Sequence, residues 1–380
     1  VVRLKILPAS GVTGSPTNEV RIVREKIKLE EQTAKKEVLN FQQGDKKVKL
    51  GLITIPMFYR DFDGARKREA DFKSTTADVR KFLGEFKQEG VDGLIIDLRN
   101  NGGGSLIEAV DLTGLFITKG PVVQRKQADG RITQEVDRDA EQVYDGPMAV
   151  MINRFSASAS EIFAAAIQDY KRGIIVGEQS YGKGTVQSVV DLDNYMANEK
   201  EPVGQLKITL EKFYRINGSS TQHKGVSPDF ALPSAFSAEE FGESSQPSAL
   251  PWDMIPATAY LTTQHVASAQ LSKLQASFTT RLKTKPDLIK LREDFDRWKK
   301  IKDANSISLN LIKRKKELDD QKKKPDESQA VIDALAGSAD AETDVTKKEK
   351  AAGDKHAKDA YLKETQQIVA DWIRSSVAKK

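Results

Sequence analysis

The 380 residues carry 60 Lys and Arg against 55 Asp and Glu, a net charge of +5, and no cysteine. So small a surplus argues against nucleic acid, which calls for a concentrated basic stripe. The missing thiols exclude cysteine catalysis, zinc–thiolate centres and disulfides. The three histidines, His223, His265 and His356, lie too far apart to pair at metal-ligand spacing.

The length allows two or three domains. Apolar residues concentrate in 50–215, whereas Lys, Asp, Glu and Ala dominate 280–380, which predicts one well-buried domain followed by a charged helical region. The chain opens inside a strand, Val1–Leu7, stopped by Pro8, with neither a signal peptide nor a transmembrane run, and so reads as a fragment cut upstream. Residues 9–19 read as a loop, 20–32 as a charged strand or short helix, and Lys49–Tyr59 as β-rich. Ser74–Glu89 is an amphipathic helix, with Val79, Phe82, Leu83 and Phe86 on one face and Gly90 ending it. The apolar run Leu94–Leu98 predicts a buried parallel strand that breaks into Gly102–Gly104. A helix over 105–116, a polar β-excursion over 121–146 and a strand at Ala149–Ile152 follow. A helix over Ser158–Arg172, a strand at Gly173–Val176 and a half-buried strand at Leu206–Tyr214 complete this half. The alternation of strand and helix argues for α/β layers.

Four prolines between 230 and 256 suggest a linker, placed at 233–256. Beyond about 259 the pattern is helical: Pro286 starts one helix, and Leu362, Ile368, Val369 and Trp372 mark a final amphipathic one. The basic runs Lys313–Lys316 and Lys322–Lys324 adjoin acidic residues and read as a solvated helix face. Residues 337–358 are polar enough to be disordered.

The chemistry concentrates in Asn153–Gln187 (NRFSASASEIFAAAIQDYKRGIIVGEQSYGKGTVQ). A hydroxyl-rich turn follows a buried strand and opens an Ala-rich helix, whose orphan N–H groups can stabilise a developing oxyanion. A serine hydroxyl there needs a base. Lys183, between Gly182 and Gly184, can serve if it is desolvated, and Gln187 four residues on can orient its amine. The helix descends roughly 21 Å and about six extended residues climb back roughly 20 Å, so Lys183 can return to the level of Ser158. The Gly102–Gly104 loop can supply a second oxyanion donor beside the Ala159 amide. Each signal has a plainer reading. Ser158-Ala-Ser-Glu161 also fits a capping box. Gly177-x4-Gly182-Lys183 looks like a phosphate loop, but Gly184 stands where Ser or Thr belongs and a β-like segment follows.

The segments LIIDLRNNGGGSLIEAV, NRFSASASEIFAAAIQDY, VGEQSYGKGTVQ and KFYRINGSSTQHKGVSPD, spanning most of 50–230, resemble the carboxy-terminal processing peptidases of the S41 family, in particular their tail-specific branch in Gram-negative bacteria. Ala249–Asp253 (ALPWD) and the charged helical region are similar to that branch as well. The resemblance implies an ATP-independent serine endopeptidase with a Ser158–Lys183 dyad, Gln187 assisting, and oxyanion donors at the Gly104 and Ala159 amides. Glu161 and Asp169 match further positions of the pattern, with supporting roles, and no cofactor is implied. The fold implied is α/β, a crotonase-like (ClpP-like) core over 20–232, followed by the 233–256 linker and a mainly helical domain over 257–380. Residues 1–19 would be the remnant of an upstream PDZ domain and its linker. The family implies a periplasmic location, protein substrates with apolar C-termini and an adaptor lipoprotein as partner, with no nucleic acid and no membrane-spanning segment. A catalytically inactive peptide-binding scaffold and an acyl-CoA enzyme on the same fold are the competing readings.

Overall fold

Pro8 ends the first strand, as its missing N–H requires. In the computed structural model, which describes residues 1–8, 15–23, 32–44, 46–69, 71–196, 203–303, 308–322 and 359–377, β1 (Val2–Ile6) pairs antiparallel with β2 (Asn18–Ile22). The two strands belong to a compact unit of their own, Val1–Thr33, and Ala34–Lys380 forms the second. Residues 24–31, within the segment expected as strand or helix, and 337–358, expected to be disordered, lie outside the described residues.

The second unit begins with an antiparallel hairpin, β3 (Lys35–Gln43) and β4 (Lys46–Thr54). β4 stops short of Tyr59 because Pro56 cannot donate to a ladder. A short helix α1 (Phe62–Lys67) precedes α2 (Thr75–Glu89). The Ser74 hydroxyl caps α2 by accepting the Ala77 N–H, and Gly90 ends it at φ 65°. The chain then runs through β5 (Gly93–Asp97), α3 (Leu106–Gly114), the hairpin β6 (Gly120–Gln127) and β7 (Ile132–Asp137), β8 (Met148–Ile152), α4 (Ala159–Asp169) and β9 (Ile174–Gly177). β10 (Thr185–Asp191), β11 (Gln205–Tyr214) and the short β12 (Phe230–Ala231) follow.

Two sheets result. Six strands stand in the order β12-β9-β8-β5-β4-β3, all parallel to their neighbours except β3. Four strands form an antiparallel sheet, β10-β11-β6-β7, which contains the expected β-excursion. β5 and β8 are buried at every residue, so the six-stranded sheet needs cover on both faces. Leu94, Ile96, Met148, Val150, Ile152 and Ile175 face one core, together with Val79, Leu83 and Phe86 of α2, Leu112 of α3 and Phe163 of α4. The intervening Ile95, Ala149, Met151, Ile174 and Val176 face the other.

That second face is covered by the C-terminal helices. After α5 (Ala238–Phe241) come α6 (Ser268–Thr284), α7 (Pro286–Asp303), α8 (Leu311–Lys322) and α9 (Ala360–Val377). Leu274 and Phe278 of α6, Leu288 of α7, and Leu362, Ile368, Val369 and Trp372 of α9 complete the second core. α9 lies so close to β5 that a Cβ on Gly93 would fall 2.9 Å from Val369 Cγ1. The α/β core and the charged helical region are both present as expected, and in space the helices are a layer on the sheet. Residues 233–256 are held to it too: Phe236 is buried, and the Trp252 indole donates to Ser220 O at 2.9 Å.

Charge is placed between α6 and α9. Glu364, fully buried, accepts from Arg281 Nε at 2.6 Å and Lys285 Nζ at 3.1 Å, and Arg281 also reaches Asp371 at 2.8 Å. Removing the guanidinium leaves a buried carboxylate with one partly exposed partner. Arg281→Ala should therefore cost about 3–5 kcal/mol in urea unfolding, and adding Glu364→Gln should recover part of that loss. Additive losses would mean that the pair does not interact.

Candidate active site

Ligand sites in parallel α/β sheets form beyond the carboxyl ends of the strands. Here the loops after three adjacent strands, β5, β8 and β9, meet there and are fastened to one another by buried polar groups. Asn101, fully buried, donates from Nδ2 to Ile55 O at 2.8 Å and accepts the Gly103 N–H at 2.8 Å. Its carbonyl accepts the Ala157 N–H at 3.0 Å and the Ser160 hydroxyl at 2.9 Å. Asn100 and Asn153 exchange two hydrogen bonds, of 2.9 and 2.7 Å. The third loop joins through Tyr181 N–H to Ser156 O at 3.0 Å and Arg154 Nη1 to Ser180 O at 2.9 Å.

Ser158 stands at the N-cap position of α4 but not in a cap conformation. N-caps take extended backbone, as Ser74 (φ −150°, ψ 155°) and Ser105 (φ −68°, ψ 123°) do in this chain. Ser158 has φ 58° and ψ −113°. A non-glycine residue in such a conformation is strained by about 1–3 kcal/mol, and strain of this kind gathers at functional turns between strand and helix. The glycine loop packs directly on this turn. A Cβ on Gly103 (φ 105°) would sit 2.8 Å from Ser158 Cβ and 3.1 Å from Ala159 N, and one on Gly104 (φ 144°) would strike Phe58 O at 2.2 Å. Phe58 donates to Gly103 O and accepts from Ser105 N–H, so the bridge to Phe58 bypasses the Gly104 amide.

One carboxylate joins the serine turn to the lysine loop. Glu161, 1% exposed, accepts the Ser158 N–H at 2.7 Å and the Lys183 N–H at 3.0 Å on the same oxygen, Oε2. The two backbone nitrogens therefore lie no farther apart than the sum of those distances. Oε1 accepts the Gly182 N–H and the Ser180 hydroxyl, each at 2.6 Å. Burial pushes the Glu161 carboxyl up to about 7, against the pull of its four hydrogen bonds.

The Lys183 amine donates to Gln187 Oε1 at 3.2 Å. The register of β10 slips between Val186 and Gln187, a bulge that re-aims the glutamine side chain. Among the described residues the amine makes no hydrogen bond to the Ser158 hydroxyl. Lys183 and Gln187 line an open cleft of about 490 Å³ with Gly102, Ala157 and Tyr181. The structure thus gathers all five predicted residues at one end of the sheet. Asp169 is elsewhere, at the far end of α4, where it pairs with Arg215 (2.6 Å) and Asn217 (2.9 Å). The Gly177–Lys183 loop leads into β10 and not into a helix, so it lacks the helix N-terminus that a phosphate loop requires.

Three neighbours of the site carried no local signal. His223 (φ 64°) donates its backbone N–H to Gly182 O at 2.8 Å, which brings this residue beside the lysine loop. Arg99, just before the glycine loop, makes a two-pronged pair with Asp359 at 3.0 and 2.7 Å. The Tyr361 hydroxyl, at the start of α9, donates to Glu178 at 3.1 Å, just after β9. In both pairs the partners are more than 180 residues apart in the chain.

The sequence is similar to known proteins. The profile of Peptidase family S41 matches residues 49–232, and that of the C-terminal domain of tail specific protease matches 236–374. The chain is 39% identical over 376 residues to the tail-specific protease of Haemophilus influenzae, covering 98% of this chain and 50% of that protein. It is 35% identical over 167 residues to the chloroplastic C-terminal processing peptidase of Tetradesmus obliquus, covering 43% and 34%. Among solved structures, the photosystem II D1 C-terminal processing protease aligns at 27% identity with a TM-score of 0.43, over 59% of this chain and 53% of that one. The chain spans half the length or less of the curated relatives named here.

A carboxyl raised on folding binds its proton more tightly in the folded state than in the unfolded one. The stability it contributes is present below its usual value of 4.5 and lost as pH rises through about 7. Urea unfolding across pH 5–8 should show this falling segment in the parent chain, and Glu161→Gln should flatten it. An unchanged slope would assign the titration to another group.

Proposed function

The chain belongs to peptidase family S41 over residues 49–232, and on that premise we propose that it is a serine endopeptidase working through a Ser158–Lys183 dyad. The observation that carries this reading is the shared Glu161 oxygen, which fixes the backbone of the nucleophile beside the backbone of the base.

The chemistry follows from the donors and acceptors present. A neutral lysine amine has two protons to donate and one lone pair. It can donate to Gln187 Oε1, as it does here, and accept the Ser158 proton once the side chain swings to the hydroxyl. Ser158 Oγ then bonds to the scissile carbonyl carbon while Nζ takes the proton. The oxyanion forms against the Ala159 amide at the helix start and the Gly104 amide left free by the Phe58 bridge. The C–N bond breaks as the Lys183 ammonium returns its proton to the leaving amine. Water then cleaves the acyl-serine with the same amine as base, and both groups are restored. Gln187 orients the amine, and Glu161 positions both loops.

Substrates with apolar C-terminal tails, a periplasmic setting and delivery by an adaptor lipoprotein complete the reading, and these rest on the family resemblance. No helix among the described residues is long and apolar enough to cross a membrane.

Ser158→Ala and Lys183→Ala should each lower kcat on an unfolded protein with an apolar tail by at least about 10³-fold. Melting temperature should change by only a few degrees. His223→Gln should stay within about twofold of the parent, since the histidine has no role in proton transfer here. Near-full activity of Lys183→Ala, or loss of activity in His223→Gln, would overturn the dyad. A parent chain that binds such proteins and never cleaves them would identify a scaffold instead.

A further inference from the structure

The lysine loop is also held from outside the S41 region. Glu243, which opens a short 3-10 turn in the C-terminal region 236–374, donates its N–H to Tyr181 O at 3.0 Å. Its carboxylate accepts from Gln222 Nε2 at 3.3 Å, and Gln222 Oε1 accepts the Gly184 N–H at 2.8 Å. Lys183 is therefore bracketed: Tyr181 is tied to Glu243 directly, and Gly184 is tied to it through Gln222. The relay has little slack, because Gln222 is fully buried and a Cβ on Gly184 would lie 2.7 Å from Gln222 N. Glu243 also lines the cleft that Lys183 and Gln187 line.

We propose that Glu243 is a positioning residue for the general base, so that the C-terminal region supplies part of the catalytic centre. The proposal rests on the reading of Lys183 as that base. Only the carboxylate arm is open to substitution, since the backbone bond to Tyr181 survives any side chain. With that arm gone, the Gln222 side-chain amide loses the acceptor that orients it, the Gly184 end of the loop loosens, and the amine is misplaced relative to Ser158. Misplacement on the scale of an ångström costs up to about a hundredfold in rate without removing a contact to substrate.

The test uses the full chain, with steady-state kinetics on the tailed protein and labelling of Ser158 by a fluorophosphonate. Glu243→Ala should lower kcat and the labelling rate together by about ten- to a hundredfold, with KM within about twofold. Glu243→Gln keeps an oxygen for Gln222 and should restore most of both rates, and melting temperature should separate neither variant from the parent. Parent-like kcat in Glu243→Ala, a loss confined to KM, or a loss that Glu243→Gln does not repair would overturn the proposal. If Lys183→Ala labels as fast as the parent, the dyad itself fails. If Lys183 matters and Glu243 does not, only the bracket fails.

Discussion

A single buried carboxylate holds the site together. Glu161 sits at the third position of α4 with its oxygens turned back to the helix start, where four donors from two loops converge on it. An ionised carboxylate is acceptor-only and has room for all four; an amide or a protonated acid does not. Taking that charge out of water is costly, which is why the carboxyl is raised despite so many hydrogen bonds. What the cost secures is geometry. The strained turn at Ser158 and the glycine-flanked Lys183 are segments that the chain alone would leave loose, and a group shared between them removes their relative freedom.

The strain at Ser158 makes sense in that frame. An extended cap, such as Ser74 or Ser105 provides, points its hydroxyl inward to the helix amides. The Ser158 backbone departs from that conformation although Ser158 and Glu161 form a capping box, and the departure persists because its surroundings over-determine it: Glu161 holds its N–H, Gly103 packs on its Cβ, and Asn101 grips Ala157 and Ser160 on either side. In the same region the helix start keeps an amide at Ala159 and the glycine loop keeps one at Gly104. The Ala159 amide is one of the orphan donors that a helix start leaves, and the Gly104 amide is the one that the Phe58 bridge bypasses.

Much of this was legible in the chain, and what was not has a common cause. The apolar runs of β5, β8 and β9 and the capped pattern of α2 announce themselves because period and composition are local. β3 (KKEVLNFQQ) escaped because an edge strand with a polar face alternates weakly. The serine, lysine and glutamine were legible as residue types in one segment, and the resemblance gave Glu161 a supporting role, but nothing local says that the glutamate takes two amides more than twenty residues away. Asn101, Gln222 and Glu243 act through bonds that span loops, and such bonds leave no periodicity behind.

The same physics bears on the C-terminal helices, whose charged composition suggested an appended domain. A parallel sheet buried on both faces cannot stand with one face bare: Ile95, Met151, Ile174 and Val176 would meet water without α6, α7 and α9. The helices therefore belong to the fold first. Their polar residues then reach the rim where the loops emerge, as Asp359 does to Arg99 and Tyr361 to Glu178. Cover for the second face and support for the loops at the candidate site are thus supplied by one layer. A change that lifts α9 from β5 therefore reaches the glycine loop as well as the core, through the Asp359–Arg99 pair at the rim.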